Sequence, residues 1–414
     1  MAQIIPFKGI RPAEKFSHLI PSQSIDRYSK TELHQHLTDN PYSFLHIIQP
    51  DFKDGLHTEA GSTIRLEKVK KTYETYIQQE LLVKDQQPNY YLYRQTAHHK
   101  SYTGIIGCIN IDDYFNGNIK IHEQTLTDRE EKLKDYLAVC GFNAEPVLFC
   151  YPPQLAINQI TQKHLIAEPS VSFSSSDGLK HELWIINQPQ EIETIQHAFE
   201  QLGAVYIADG HHRSASSALL GKMRRQENPN YTGDEAFNYY LGIFFPENDL
   251  SIVDYNRLVK DLNGLSSESF IAQLEETFTV EKIGKEPYTP KHLHNFSLYI
   301  NHNWYSLTPH VGKVDDTHPV KSLDASILTE AILSPLLQIE DLKTDKRIKF
   351  MPGIHGMKAL QDQVDQGKAA AAFGLFPVSM KHLKWIADTN NCMPPKSTWI
   401  EPKMRNGLVI YSMV

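Results

Sequence analysis

The sequence predicts a mixed α/β protein, and three observations carry that prediction. The run HELWIIN, QEIETIQHAFEQLG, AVYIADG alternates strand, helix and strand, and HHRSASSALLGKMRRQ continues it as a helix. A second alternation follows near the end: IKFMP, HGMKALQDQVDQG, AAAAFGLFP, SMKHLKWIADTNN. The 414 residues also exceed what one ordinary core accommodates. We therefore expect a mixed-sheet core over 1–270 and a smaller α/β region over 271–414, with a soft boundary within Leu265 to Pro290.

The elements read in order. The first fifty residues are turn-rich, with an apolar patch at Asn40 to Phe52. Apolar and aromatic residues recur at helical spacing from Thr58 to Leu82, which predicts an exposed amphipathic helix. NYYLYRQTA and YTGIIGCINIDDY read as two strands, joined through a His-rich link at His98 to Ser101 into a hairpin. TDREEKLKDYLAVCG places Thr127 and Glu130 at capping-box spacing and stops at Gly141, so it predicts a helix. PVLFCYP, AFNYYLGIFFP and LSIVDYNRLV read as strands. FSLYINHNWYSL reads as a hairpin, Leu323 to Leu337 as a helix, and GLVIYSM as a closing strand. The segment from Asn263 to Thr289 is polar with a short helix.

Bulk properties narrow the function. A net charge of −8 gives no basic footprint, so nucleic acid is not expected as a partner. Four cysteines form no C-x-x-C pair, which argues against a zinc knuckle or a dense disulfide framework. A reduced, cytoplasmic setting is the expectation. The opening MAQIIPFKGIRPAEKF has no basic stretch leading into a long apolar run, so no secretory leader is expected. No apolar run reaches bilayer length, so no membrane partner is expected either. The oligomeric state is not legible.

The densest chemistry is Asp209-Gly210-His211-His212-Arg213, inside the corner at 204–223. A strand that ends in glycine and turns straight into a helix presents free backbone N–H groups and the positive end of the helix dipole. Such a corner binds anions, phosphate above all. Gly210, His212, Arg213 and Ser214 are the candidate phosphate contacts, with Arg213 as a bidentate clamp and Ser216 as a further donor. Asp209, at the carboxyl end of its strand, is placed to hold Mg²⁺ or to accept a proton. His211 and His212 can donate to phosphate or exchange protons near neutral pH, as imidazoles do, and His211 is a candidate acid–base group. Adjacent histidines on a helix point in different directions, so phosphate ranks above a transition metal here.

Two further clusters qualify. KIHEQTLTDREEK sets His122 and Glu123 just before a helix, and Glu123 is a candidate general base or Mg²⁺ ligand. The spacing is not H-E-x-x-H, so a zincin is not indicated. CMPPKSTWIEPKMRNG concentrates Lys396, Ser397, Thr398, Lys403 and Arg405. Two prolines precede its KST and a strand follows, which excludes a P-loop but leaves a cationic, hydroxyl-bearing loop suited to a phosphorylated ligand.

IADGHHRSASS, HEQTLTDREEKL, YLYRQ, PFKGIRP and MPPKSTWIEPKMRNGL together resemble the DUF1015 family, in matching order over essentially the whole chain. That family implies no established reaction. Its D-G-H-H-R block usually continues with an aromatic residue and an acid, where this chain has Ser214 and Ala215. Its early P-P-Y-D-type segment appears here only as LIPSQSID. Gly210, His212 and Arg213 also resemble the phosphate-binding corner of the ParB and sulfiredoxin superfamily, which includes kinases of free serine. These readings together suggest an Mg²⁺-dependent phosphotransferase or nucleotide hydrolase using ATP or ADP, with a small-molecule ligand. The alternatives are a metal-dependent hydrolase using His122, Glu123, Asp209 and His211, and a non-enzymatic nucleotide- or DNA-binding regulator.

Overall fold

A computed structural model describes residues 2–97 and 100–413. The fold is mixed α/β, as expected, and the chain divides into two compact units. One comprises Met1–Lys120, Thr125–Leu250 and Pro402–Val414; the other comprises Ile121–Gln124 and Ser251–Glu401. One boundary between the units falls at Leu250/Ser251. Two long-range pairings set it: Ser251–Val253 pairs with Trp399–Glu401 in the second unit, and Tyr411–Ser412 pairs with Phe142–Asn143 in the first. Partners so far apart in sequence leave no local signal.

The first unit is built on a nine-stranded mixed sheet among the described residues. Across it run Ile119–Lys120, Val205–Asp209, Val147–Tyr151, Tyr239–Pro246, Lys100–Asn110, Tyr90–Ala97, Lys180–Ile186 and Val171–Ser174, while Ile4–Ile5 also pairs with Lys100–Asn110. The expected hairpin is present, with Tyr91 opposite Ile106 and Ala97 opposite Lys100; His98 and His99 of its link lie outside the described residues. The expected strand–helix–strand is present as Lys180–Ile186, Pro189–Glu200 and Val205–Asp209. Its two strands run in the same direction but have four other strands inserted between them.

Many of the residues buried on the sheet are β-branched or aromatic, among them Ile106, Val147, Phe149, Tyr240 and Phe244, as pleated surfaces favour. Phe149 stacks on Phe244 at 5.0 Å and Phe199 meets the same ring edge-on at 5.2 Å. Each such side chain contributes about 1.5–3 kcal/mol by leaving water. Helix Thr127–Cys140 ends where predicted, with Gly141 left-handed at φ 73°. Its capping box does not form: Leu126 is the N-cap and Thr127 is already helical. The expected helix from Thr58 begins later, at Thr63, because the Ser62 side chain caps it. It is not simply exposed, since Leu66, Val69, Tyr73 and Tyr76 are buried. Helix Leu155–Ile166 and strand Val171–Ser174 went unread.

The second unit has a six-stranded sheet in the order Phe278–Gly284, Asn303–Pro309, Phe296–Ile300, Ala371–Gly374, Tyr255–Val259, Ile348–Pro352. Every neighbouring pair is antiparallel. The hairpin turn puts Asn301 and His302 at φ 47° and 57°, the conformation two-residue hairpin loops demand. The predicted helix from Leu323 is a short α-helix, Asp324–Leu328, widening into a π-helical turn at Thr329–Leu333. The polar stretch near 280 contains an unread strand, Phe278–Gly284, exposed over most of its length.

Candidate phosphate-binding corner

The strand Val205–Asp209 carries Val205 and Ile207 fully buried and ends on a half-buried Asp209. Its register against Val147–Tyr151 slips between Ile207 and Asp209. Such a bulge re-aims the strand end, and no residue pattern announced it. Gly210 follows at φ 99°, and helix His211–Glu227 begins at once. Gly210 offers no capping side chain, and the first intrahelical bond runs from Ser214 N–H to the Gly210 carbonyl at 3.0 Å.

Two glycines fix this geometry. A Cβ on Gly210 would lie 2.9 Å from Arg213 Nη2 and 3.0 Å from Cζ, so the guanidinium folds back over the bare Cα. A Cβ on Gly221 would lie 2.4 Å from Ile111 Cδ1 and 2.5 Å from the Phe237 carbonyl oxygen, so the helix approaches its neighbours as closely as only glycine permits.

Asp209 is surrounded by cations. Lys403 Nζ donates to Oδ2 at 3.2 Å, and Arg213 Nη2 lies 3.7 Å from the same oxygen. Burial alone would raise its pKa, but Lys403, Arg213 and His211 outweigh that and bring it down to about 2. A carboxylate this acidic stays charged and is a weak proton acceptor near neutrality. Arg213 also donates to the Pro146 carbonyl at 2.5 Å and pairs with Glu145 Oε1 at 3.1 Å. Two carboxylates and two cations balance, and the helix start tips the corner positive.

The first unit thus gathers Asp209, Gly210, His211, Arg213 and Lys403; His212 is half-buried on the same first turn. Ser214 is fully buried and its hydroxyl shares a 2.7 Å hydrogen bond with Tyr240, so it does not serve as the expected phosphate donor. Ser216 donates to the His212 and Glu130 carbonyls instead. Arg405 is committed elsewhere: its Nη2 donates to Asp177 at 2.5 and 2.6 Å and to Ser175 at 2.9 Å. Burial and Arg405 hold the neighbouring His181 down to about 3, and Tyr93 OH meets its Nδ1 at 2.7 Å. The next residue, Arg94, pairs across the same two strands, its Nε donating to Glu182 at 2.7 Å.

The other candidates belong to the second unit. The His122 carbonyl accepts from Met393 N–H at 2.8 Å, and Glu123 is exposed. Burial raises the Cys392 thiol, and the Glu123 charge adds to it. The His122–Glu123 segment therefore lies against the start of the M-P-P-K-S-T loop. In that loop Ser397 is turned inward, donating to the Pro394 carbonyl at 2.7 Å. Thr398 is half-buried. Lys396 is exposed at φ 57°, its carbonyl accepts from Arg257 at 3.0 Å, and its Nζ lies 5.7 Å from the Tyr255 ring.

Arg257 went unread, although an arginine inside the strand pattern YNRLV was the available signal. It is fully buried, its Nε and Nη2 have no hydrogen-bond partner, and burial pushes it down to about 9. Glu145 also went unread. Among the described residues no three His, Cys, Asp or Glu side chains gather as a metal centre; His122 and Glu123 belong to the second unit, and Asp209 and His211 to the first. No helix among them is long and apolar enough to cross a membrane.

A family model described as "Protein of unknown function (DUF1015)" matches residues 4–326. The chain belongs to the DUF1015 family. The match includes the whole D-G-H-H-R corner and ends before the M-P-P-K-S-T loop and Lys403, although the sequence resemblance extended to both. The comparison with curated proteins returns no match. Among solved structures, this DUF1015 chain is similar to a mutant free serine kinase in complex with AMP, at 11% identity and TM-score 0.38, covering 73% of this chain and 90% of that one. It is similar to a C-terminally truncated SbnI from Staphylococcus aureus at 12% identity and TM-score 0.40, covering 73% and 85%. A conserved hypothetical protein from Pyrococcus furiosus matches at 12% identity and TM-score 0.36, covering 74% and 94%.

Proposed function

We propose that the DUF1015 corner binds the phosphates of a nucleotide such as ATP or ADP and that the protein is a small-molecule phosphotransferase. One observation carries this reading. An uncapped 17-residue helix begins at a glycine, immediately beside a carboxylate held by Lys403 and Arg213. Phosphoryl transfer asks a protein chiefly for positioning and charge neutralisation, and this corner offers backbone donors, a guanidinium and an ammonium group around one point.

Asp209 fits a magnesium ion carried by phosphates. Mg²⁺ keeps most of its waters and takes one or two protein carboxylates, and a carboxyl held at about 2 is ionised at any working pH. Bound there, the ion would neutralise phosphate charge. Asp209 is correspondingly a poor base, so the proton from an acceptor hydroxyl falls to His211, the buried imidazole two residues further on. Arg213 exchanges Glu145 for a phosphate oxygen, and Lys403 remains as the second cation.

Calorimetric titration of ATP with and without Mg²⁺ tests the assignment on the wild type and Asp209→Asn. The wild type should bind more tightly with Mg²⁺, and the variant should lose that gain. Equal Mg²⁺ dependence in both proteins would remove Asp209 from the site.

A further inference from the structure

Arg213 faces a second environment. It lines a cavity of about 300 Å³ within the first unit, whose walls include Phe44, Tyr136, Phe142, Tyr240 and Asn406. The rings frame it edge-to-face, Phe44 against Phe142 at 6.3 Å and Tyr136 against Phe142 at 6.0 Å. This is the form of a small-molecule site: concave, mostly apolar, with a few polar groups placed to orient the ligand.

One of those polar groups is unsatisfied. Asn406 is only 6% exposed, and its Oδ1 has no hydrogen-bond partner. A buried acceptor left unpaired costs about 1–3 kcal/mol. Two other polar groups on its walls are already occupied: Asn143 Oδ1 accepts from Leu241 N–H at 3.3 Å, and the Tyr240 hydroxyl is paired with Ser214. The cavity therefore calls for a flat, apolar-faced ligand with an N–H donor on its edge. Its polar boundary is the same guanidinium that lies 3.7 Å from Asp209.

We propose that this cavity seats the base of the nucleotide, that the base is an amino-bearing purine, and that Asn406 Oδ1 accepts from its exocyclic amine. Aromatic walls suit a purine face, and Arg213 joins base site to phosphate site. This rests on the reading of the Asp209 corner as a phosphate site, and extends it to the ligand's other end.

Binding of adenosine, purine riboside and pyrophosphate, each measured by calorimetry, separates the two claims. Wild-type protein should bind adenosine roughly tenfold more tightly than purine riboside, which lacks the amine. Ser217→Leu, which fills the cavity from its helix wall, should weaken adenosine at least tenfold and leave pyrophosphate unchanged. Asn406→Leu should abolish the preference for adenosine over purine riboside. The wild-type comparison needs no variant, so a misfolded variant does not blunt the test. Adenosine that fails to bind, binds no better than purine riboside, or is unaffected by Ser217→Leu overturns the base site. Adenosine binding with no pyrophosphate binding would keep the cavity and overturn the phosphate corner instead.

Discussion

Replacing Gly210 with alanine probes the corner at its tightest point. Two costs follow from the geometry. At φ 99° an alanine is strained whatever space surrounds it, which is worth about 1–2 kcal/mol. Its Cβ would also sit 2.9–3.0 Å from the Arg213 guanidinium. A flexible side chain yields to such a contact cheaply, but yielding moves Arg213 off Asp209 and Glu145, half-exposed pairs worth roughly 0.5–1 kcal/mol together. Gly210→Ala should therefore destabilise by about 1.5–3 kcal/mol in the wild-type background and only about 1–2 kcal/mol in Arg213→Ala. The coupling, about 0.5–1 kcal/mol, is the quantity of interest. Equilibrium urea unfolding of the four proteins, all at one pH and ionic strength, measures it. Costs that agree within about 0.3 kcal/mol in both backgrounds would refute the placement of Arg213 over Gly210.

Three other outcomes follow from the same structure. Gly221→Ala should destabilise by about 1–3 kcal/mol despite alanine's better helix propensity, because the Phe237 backbone oxygen at 2.5 Å has nowhere to go; thermal unfolding reads this directly. Asp209 is more acidic folded than unfolded, so its contribution is complete above about pH 4 and disappears as pH falls toward 2. With the side chain 42% exposed the difference is about 1 kcal/mol, and Asp209→Asn should lack it in acid unfolding curves. His181, held neutral and down to about 3, is protonated first in the unfolded chain. Stability should therefore fall by about 1 kcal/mol per pH unit below pH 6.5, and His181→Gln should flatten melting temperature against pH between 6 and 4.

What the sequence revealed depended on how local the cause was. The D-G-H-H-R corner was legible because a strand, a glycine and a helix start are neighbours in the chain, so their chemistry can be read in one window. Gly141 was legible as a helix stop for the same reason. The partnership of Asp209 with Lys403 spans 194 residues; the cation was visible but its partner was not. Arg405, two residues further on, carries the same charge yet belongs to Asp177, and nothing in composition separates the two. Ser214 illustrates the limit at short range: whether a helix-start hydroxyl faces ligand or core depends on the Tyr240 strand beneath it. Helix spacing placed Thr127 and Glu130 correctly for a capping box, but the helix begins one residue too early to form it. The nine-strand order was illegible because strand insertion is decided by pairings far apart in the chain.

The central claim is that phosphate binds where the helix begins at Gly210. The most direct measurement is the thermal shift of wild type and Arg213→Ala with pyrophosphate, ATP and ADP, each with and without Mg²⁺. Ligand at a hundred times its dissociation constant should stabilise the wild type by about 2.7 kcal/mol, and Arg213→Ala should lose most of that shift. A wild type that no phosphate compound stabilises, or an equal shift in Arg213→Ala, would contradict the account.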